Sequence, residues 1–393
     1  MIAPLTREAF YSAFGKAFLR HTGHNGRFQH LVSWDELNSI LQQHRLEPPR
    51  FRLVHDGKEI DPSRYLAAAR KGLPRFRAAN LTECLAEGAT LILDGVEELA
   101  PAIGEVADAF TEALHRWTSV NLYAGWRTQS GFKLHWDPQD TMILQVSGRK
   151  HWKVYRPTRL HPLAADVAPA PKPTDEPLWD GILEEGDLIY LPRGWWHVAA
   201  PLDEPSLHLT VTIEPASGID LLEWFVGQLK YHPEVRRDVP LFANKAEGRE
   251  YFSQLRRLVI ESLSDNVLER FLVACEAAIP LLTEFHLPSG TMEQSAPVTM
   301  ETQVRLAQTR RLSFEKTEGS DVVSFLANGV RWQCSHTLVS AMEQLTGTAN
   351  SCVRELCSRL PEQTSPDELI LLLTSLAMGG VIWILGPTRV GEP

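Results

Sequence analysis

Three residues of this sequence could together hold a metal ion. His135 and Asp137 stand two positions apart in a β-rich run, and His197 follows sixty residues after Asp137. Alternate side chains of a strand share a face, so His135 and Asp137 would point the same way. Two imidazoles and a carboxylate make the facial triad of non-haem Fe(II) oxygenases. The spacing therefore predicts His135, Asp137 and His197 as metal ligands and catalytic residues; the alternative is three unrelated polar positions, and cupin-type sites also hold other metals.

A second group of residues could bind an anionic small molecule. Lys150 follows Asp137 by thirteen residues, two positions before Trp152. A buried ammonium is costly without a partner, so an inward-facing Lys150 would favour a carboxylate ligand. Asn121 and Tyr123 share a strand face and could donate hydrogen bonds to the same carboxylate. Each could equally be an ordinary strand residue, and the polar row of His208, Thr210 and Thr212 could face either a pocket or solvent.

Three motifs resemble the JmjC-type ribosomal oxygenases, which are 2-oxoglutarate- and Fe(II)-dependent protein hydroxylases. They are His135-Trp136-Asp137, the run from Gln145 to Trp152, and the run from Gly186-Asp187 to His197. The resemblance implies an Fe(II) cofactor, 2-oxoglutarate as co-substrate with its distal carboxylate on Lys150, and dioxygen as oxidant. It also implies a protein or peptide substrate, such as a ribosomal protein, and a homodimer. It is close over residues 80 to 215 and looser over the C-terminal third.

The pattern of the chain predicts an α+β protein built around a double-stranded β-helix, the cupin or JmjC jelly roll. Residues 120 to 213 alternate with period two between tight turns, as the short antiparallel strands of such a fold do. The first 80 residues are expected to be accessory helices. The predicted domains are 1–218, catalytic with this helical elaboration; 219–285, a helical dimerisation module; 286–300, a linker; and 301–393, a winged-helix-like domain.

Short motifs predict local structure within these domains. Phe10, Phe14 and Phe18 follow helical spacing after Thr6, a plausible N-cap. Ser33 opens a second helix with a capping box. In the last domain, Asn328-Gly329 between two strands predicts a hairpin, and Ser365 followed by Pro366 predicts the start of a helix.

Composition limits the partners. A net charge of −10 with no long basic run argues against general polyanion binding. A winged-helix-like domain would suggest DNA binding, but Arg354 and Arg359, separated by Glu355, do not form a basic recognition helix. Five scattered cysteines without a CxxC pair indicate a reducing compartment. No apolar run reaches the roughly 18 residues of a membrane span. We therefore expect a cytoplasmic protein with no membrane partner and no strong nucleic-acid signal.

Three classes of function remain open from the sequence. The leading prediction is an oxygenase that hydroxylates an amino-acid side chain in a protein or peptide. The second is the same chemistry on a free small molecule or a biosynthetic peptide. The third is a non-enzymatic cupin-like or winged-helix interaction protein.

Overall fold

The computed structural model describes residues 7–67, 74–163, 165–166, 171–279, 298–307, 312, 314–316, 321–328, 330–345 and 349–385. These residues form two compact units, Met1–Pro215 and Ala216–Pro393. The division falls three residues before the boundary predicted at residue 218. Residues 286–297 of the predicted linker lie outside the described residues. None of the described helices is both long enough and apolar enough to cross a membrane.

The first unit combines short helices with antiparallel strands. Its helices are α1 (Arg7–Ala13), α2 (Trp34–Gln43), α3 (Ala78–Ala86) and α4 (Pro101–Leu114). Its strands are β1 (Leu19–His21), β2 (Phe51–His55), β3 (Lys58–Glu59), β4 (Leu66–Ala67), β5 (Arg75–Phe76), β6 (Thr90–Leu93), β7 (Thr118–Gly125), β8 (Asp140–Ser147), β9 (Lys150–Tyr155), β10 (Trp179–Leu183), β11 (Leu188–Leu191), β12 (Trp196–Pro201) and β13 (Ser206–Ile213).

Two antiparallel sheets form the predicted jelly roll. The larger sheet has the strand order β1-β11-β8-β13-β7-β6-β2-β3, and the smaller has β10-β9-β12. The predicted alternation is present: Leu207, Leu209 and Val211 of β13 join the main hydrophobic core with residues of the helices. A smaller apolar cluster joins Ile143 of the larger sheet to Trp152 of the smaller. The cupin-like fold predicted from the sequence is confirmed, and His208 and Thr210 alternate with the core residues of β13.

The expectation that the first 80 residues are helical is wrong for much of this segment. Strands β1, β2 and β3 belong to the large sheet, with β1 paired to β11 and β2 paired to β6. These strands have two to five residues, too few to show a period, and β1 and β2 pair with strands that are distant in the chain. Helix α1 ends before Phe18, whose ring instead stacks on Trp179 and Trp195. Thr6, the predicted cap of this helix, lies outside the described residues.

The second unit begins with helices and continues with two small sheets. Its helices are α5 (Gly218–Leu229), α6 (Pro233–Arg236), α7 (Lys245–Ser262), α8 (Val267–Ala277), α9 (Val339–Met342), α10 (Val353–Cys357) and α11 (Pro366–Met378). Its strands are β14 (Gln303–Leu306), β15 (Glu315–Lys316), β16 (Val322–Ala327), β17 (Val330–Ser335), β18 (Ser351–Cys352) and β19 (Ile382–Leu385).

The hairpin and the helix start predicted in the second unit are present in the structure. Strands β16 and β17 form the hairpin predicted at Asn328, although its Gly329 lies outside the described residues. Ser365 caps α11, with Pro366 as the first helical residue. The two sheets have the orders β18-β14-β19 and β15-β16-β17. The winged-helix-like character of this region stays a prediction.

Candidate metal centre

The structure brings the three predicted ligands together. One ligand atom from each of His135, Asp137 and His197 lies within 4.8 Å of the others. The two carboxylate oxygens of Asp137 divide between the imidazoles, with Oδ1 3.8 Å from His135 Nε2 and Oδ2 3.5 Å from His197 Nε2. Such an approach of two imidazoles and one carboxylate provides three ligands on one side of a metal ion.

Hydrogen bonds to the backbone fix which nitrogen of each imidazole is free. His135 Nδ1 lies 2.7 Å from the carbonyl oxygen of Lys133, and His197 Nδ1 lies 3.0 Å from that of Trp195. A carbonyl only accepts, so each neutral ring carries its proton on Nδ1 and offers the lone pair of Nε2. This is the outer hydrogen bond that orients histidine ligands in metal sites. Both rings are therefore set to bind a metal through Nε2.

The backbone around His135 differs from the prediction. His135 forms an isolated bridge with His197, in which each N–H donates to the other's carbonyl oxygen at 3.1 and 2.7 Å. Gly194 N–H donates to the Asp137 carbonyl at 2.9 Å. The expected regular strand through His135 and Asp137 is wrong, because Pro138 has no N–H with which to continue a ladder. The bridge, and not strand alternation, brings the ligands together.

Burial keeps one of the ligands neutral. Burial and, to a lesser extent, the neighbouring His135 together lower the pKa of His197 to about 4, against the opposing attraction of Asp137. His197 is 7% exposed. A histidine must be deprotonated at one nitrogen to bind a metal, so this environment favours the ligand form at neutral pH.

A cavity of about 170 Å³ opens beside the three ligands, between the two sheets. Polar and apolar side chains share its wall. Besides the ligands it is lined by Thr90, Tyr123, Gly131, Phe132, Thr141, Ile143, Lys150, Trp152, Ala199, Pro201, His208 and Thr210. Two of the three predicted anion-binding residues, Lys150 and Tyr123, thus face the same cavity as the metal ligands. Thr212 does not line it, whereas Thr210 and His208 do.

Lys150 is buried in this wall without a carboxylate partner. Lys150 is 3% exposed, and its Nζ lies 2.9 Å from His208 Nδ1. Among the described residues it forms no ion pair, and burial lowers its pKa to about 7. The chain reaches Lys150 through Gly148, which has a φ of +63° and where a Cβ would lie 2.0 Å from the Pro205 carbonyl oxygen. A buried ammonium of this kind favours an anion in the cavity.

His208 is a residue of the site that the sequence left undecided. Its ring stacks on Tyr123, with centroids 4.9 Å apart and planes 12° apart, and it meets Trp152 edge-on. Burial, followed by the Lys150 charge, holds the pKa of His208 well below its usual range. The sequence signal that could have identified His208 as a site residue is the period-two pattern of β13. This pattern puts His208 on the face opposite Leu207 and Leu209.

Asn121 lies behind the cavity wall. Its Oδ1 accepts a hydrogen bond from Gly95 N–H at 3.2 Å, and Asn121 is not among the lining residues. A hydrogen bond with Asn121 lowers the pKa of Tyr123, although burial raises that pKa more strongly. Asn121 therefore touches the site through Tyr123 in this structure, which differs from the direct contact with a ligand carboxylate that the sequence suggested.

Comparisons with known proteins agree with this geometry. Residues 100–221 match the JmjC domain family model. The chain is 27% identical over 71% of its length to an Aedes aegypti protein named bifunctional lysine-specific demethylase and histidyl-hydroxylase NO66, of which it covers 49%. It is 31% identical over 61% of its length to ribosomal oxygenase 1 of Rattus norvegicus, of which it covers 41%. The chain thus spans about half or less of the length of these relatives.

Solved structures share the fold over nearly the whole chain. YcfD, a ribosomal oxygenase of Escherichia coli, superposes with a TM-score of 0.61 and 16% identity, covering 98% of this chain and 99% of YcfD. A structure of YcfD with cobalt and 2-oxoglutarate matches with a TM-score of 0.60 and 16% identity, over 98% and 99% of the two chains. At this identity the likeness shows a common fold.

Proposed function

We propose that this chain is a JmjC-type ribosomal oxygenase, an Fe(II)- and 2-oxoglutarate-dependent enzyme that hydroxylates an amino-acid side chain of a protein. One observation carries the proposal. A buried lysine that has no carboxylate partner among the described residues lines the same cavity as the two imidazoles and the carboxylate of the metal ligands. A molecule that chelates the metal at one end and carries a carboxylate at the other would interact with both the metal site and Lys150. 2-Oxoglutarate has this chemistry.

The donor set fits the metal. Two imidazole nitrogens and one carboxylate are the ligands of non-haem Fe(II) oxygenases, and their placement on one side leaves positions open. His135, Asp137 and His197 would hold the ion. Bound iron and 2-oxoglutarate together supply the oxidising chemistry, in which dioxygen is consumed and a C–H bond becomes C–OH.

The residues around the cavity would bind and orient 2-oxoglutarate and exclude water. Lys150 would hold the distal carboxylate of 2-oxoglutarate, with the Tyr123 hydroxyl as a neutral donor, since burial raises the pKa of Tyr123. His208 Nδ1 accepts a hydrogen bond from the Lys150 ammonium at 2.9 Å and would hold it in place in the cavity wall. Ile143 and Trp152 are 2% and 4% exposed and keep this part of the cavity dry. A dry wall strengthens the attraction between Lys150 and a carboxylate.

A protein substrate is supported by the relatives, whose names describe a histidyl-hydroxylase and a ribosomal oxygenase. A ribosomal protein is therefore the substrate class that we propose first.

We also propose that the chain works as a homodimer, through an apolar stripe on α5. Phe225 and Leu229 of α5 are buried within the unit, whereas Ile219, Leu222 and Val226 are 45%, 57% and 63% exposed. These three residues follow the i, i+3, i+7 spacing of one helix face. An isologous contact with a second copy would cover the stripe, which is the commonest geometry of homo-oligomers. We expect a mass of two chains in sedimentation equilibrium.

Release of succinate tests the proposed chemistry. The purified chain should release succinate from 2-oxoglutarate only with Fe(II) and dioxygen, and Asp137→Ala should release none while melting at a similar temperature. Iron-independent decarboxylation, or full turnover in Asp137→Ala, would remove the basis of the proposal.

A further inference from the structure

Helix α7 separates its charges onto two faces. With about 100° of rotation per residue, three basic residues fall within an arc of roughly 40°. Three acidic residues lie on the opposite side of the same helix. The basic residues are Lys245, Arg249 and Arg256, and the acidic residues are Glu247, Glu250 and Glu261. We call the three basic residues, together with Gly248, Phe252 and Ser253 on the same side of the helix, the basic face of α7.

The cations of the basic face are exposed, and none of them forms an ion pair with a described residue. The other side of the helix is different. There Arg257 lies 3.9 Å from Glu261, and Glu250 accepts a hydrogen bond from Gln254 at 2.9 Å. The charge of the basic face is therefore not neutralised within the described part of the chain and remains available to an anionic partner.

An aromatic side chain and a glycine form a notch within the basic face. Phe252 is 62% exposed and lines a shallow depression with the three cations, Gly248 and Ser253. A Cβ at Gly248 would meet no atom within 4 Å, so packing within the chain does not require glycine there. Glycine weakens a helix relative to alanine. Its effect here is to leave the ring of Phe252 open beside Arg249.

Proteins bind single-stranded nucleic acid with cations that follow its phosphate backbone and with exposed aromatic rings on which its bases stack. The basic face of α7 offers both. Lys245 and Arg256 are separated by about 16 Å along the helix axis, a span that covers several phosphates. A second copy of this chain fits poorly, because a two-fold contact centred on the basic face would oppose like charges. An acidic peptide would use the cations and leave Phe252 without a stacking partner.

We propose that the basic face of α7 binds the phosphate backbone of single-stranded RNA, with one base stacked on Phe252. This face belongs to the second unit, and RNA binding there does not depend on the proposed hydroxylase activity. The net charge of −10 on the whole chain opposes the approach of RNA, and the basic face supplies the local attraction. Binding is therefore modest and strongly weakened by salt.

Fluorescence anisotropy of a labelled oligouridylate, titrated with the full chain at increasing KCl, tests this proposal. Three neutralised phosphates predict a slope of log K against log salt of about −2 for a single strand. The variant Lys245→Gln/Arg249→Gln/Arg256→Gln should bring the slope close to zero and lower the affinity more than about tenfold. Phe252→Ala should weaken binding by about five- to hundredfold, the loss of one stacked base. Arg257→Gln, on the paired side of the helix, is the matched control and should bind as the unaltered chain does.

Several results would overturn the proposal. Unchanged RNA affinity and salt slope in the triple variant would place any RNA binding elsewhere. Polyglutamate that competes as well as oligouridylate would indicate an acidic peptide, and a triple variant that loses only its dimeric mass would indicate a subunit contact. Because all substituted residues are exposed, circular dichroism should report an unchanged helix content. The single variants Arg249→Gln and Phe252→Ala keep the test decisive if the triple variant is unstable.

Discussion

Replacement of Lys150 should remove 2-oxoglutarate binding while making the protein without ligand more stable. Lys150 is 3% exposed, and its Nζ lies 2.9 Å from Nδ1 of the neutral His208 ring. Loss of one member of a buried charge pair costs about 3–5 kcal/mol. Lys150→Met should therefore weaken 2-oxoglutarate binding by about a hundred- to several-thousandfold. Lys150→Arg keeps a cation and should retain more affinity, although its planar head differs in shape.

The lowered pKa of Lys150 gives this prediction a pH dependence. The folded chain has a pKa of about 7 at Lys150, against 10.5 for an ordinary lysine, so between these values the unfolded chain binds more protons. The free energy of unfolding should then rise with pH through this window. Lys150→Met should abolish that rise and, at pH 7, melt at a higher temperature than the unaltered chain.

Ligand binding should show the opposite dependence on pH. A bound carboxylate favours the charged lysine, so 2-oxoglutarate binding should take up a proton, and its affinity should fall by up to about tenfold per pH unit above 7. Calorimetry in two buffers of different ionisation enthalpy measures that proton. Lys153→Met is the matched control, since Lys153 lies on the other face of β9, exposed and 3.1 Å from Asp180. Equal 2-oxoglutarate affinity in Lys150→Met and Lys153→Met would refute the reasoning.

Three further outcomes are expected. Alanine at His135, Asp137 or His197 should abolish turnover and the visible absorption of bound Co(II) without unfolding the chain; retention of the Co(II) spectrum would contradict the ligand assignment. Tyr190→Phe should cost about 2 kcal/mol in thermal unfolding, because the hydroxyl donates to Asp140 at 2.5 Å and accepts from Gly15 N–H at 2.7 Å; a loss no greater than that of the exposed Tyr11→Phe would be inconsistent with this role. Leu222→Glu on α5 should reduce the sedimentation mass to one chain, and an unaltered chain that already has the monomer mass would count against the dimer.

Local chemistry explains which parts of the molecule the sequence predicts. The alternation of β7, β9 and β13 is visible within at most eight residues of chain, and it places Lys150 and Trp152 on the buried face of β9. The caps of α2 and α11 are likewise short patterns, in which Ser33 and Ser365 accept hydrogen bonds from backbone N–H groups. Such features need no knowledge of distant partners.

Contacts between distant segments explain what the sequence does not predict. β1 is a strand because it pairs with β11, about 170 residues further along, and three residues alone carry no readable period. The contact of Lys150 with His208 joins residues 58 positions apart. The bridge between His135 and His197 is likewise a contact between distant segments of the chain. In each case a contact between segments distant in the chain decides the outcome.

Intact-mass spectrometry tests the central claim most directly. Ribosomal proteins are incubated with the purified chain, Fe(II), 2-oxoglutarate and air, in parallel with Asp137→Ala. We predict that one protein gains about 16 Da, one oxygen atom, with the unaltered chain alone. Succinate release with no gain of mass in any protein would contradict protein hydroxylation and would indicate a small-molecule substrate for the same site.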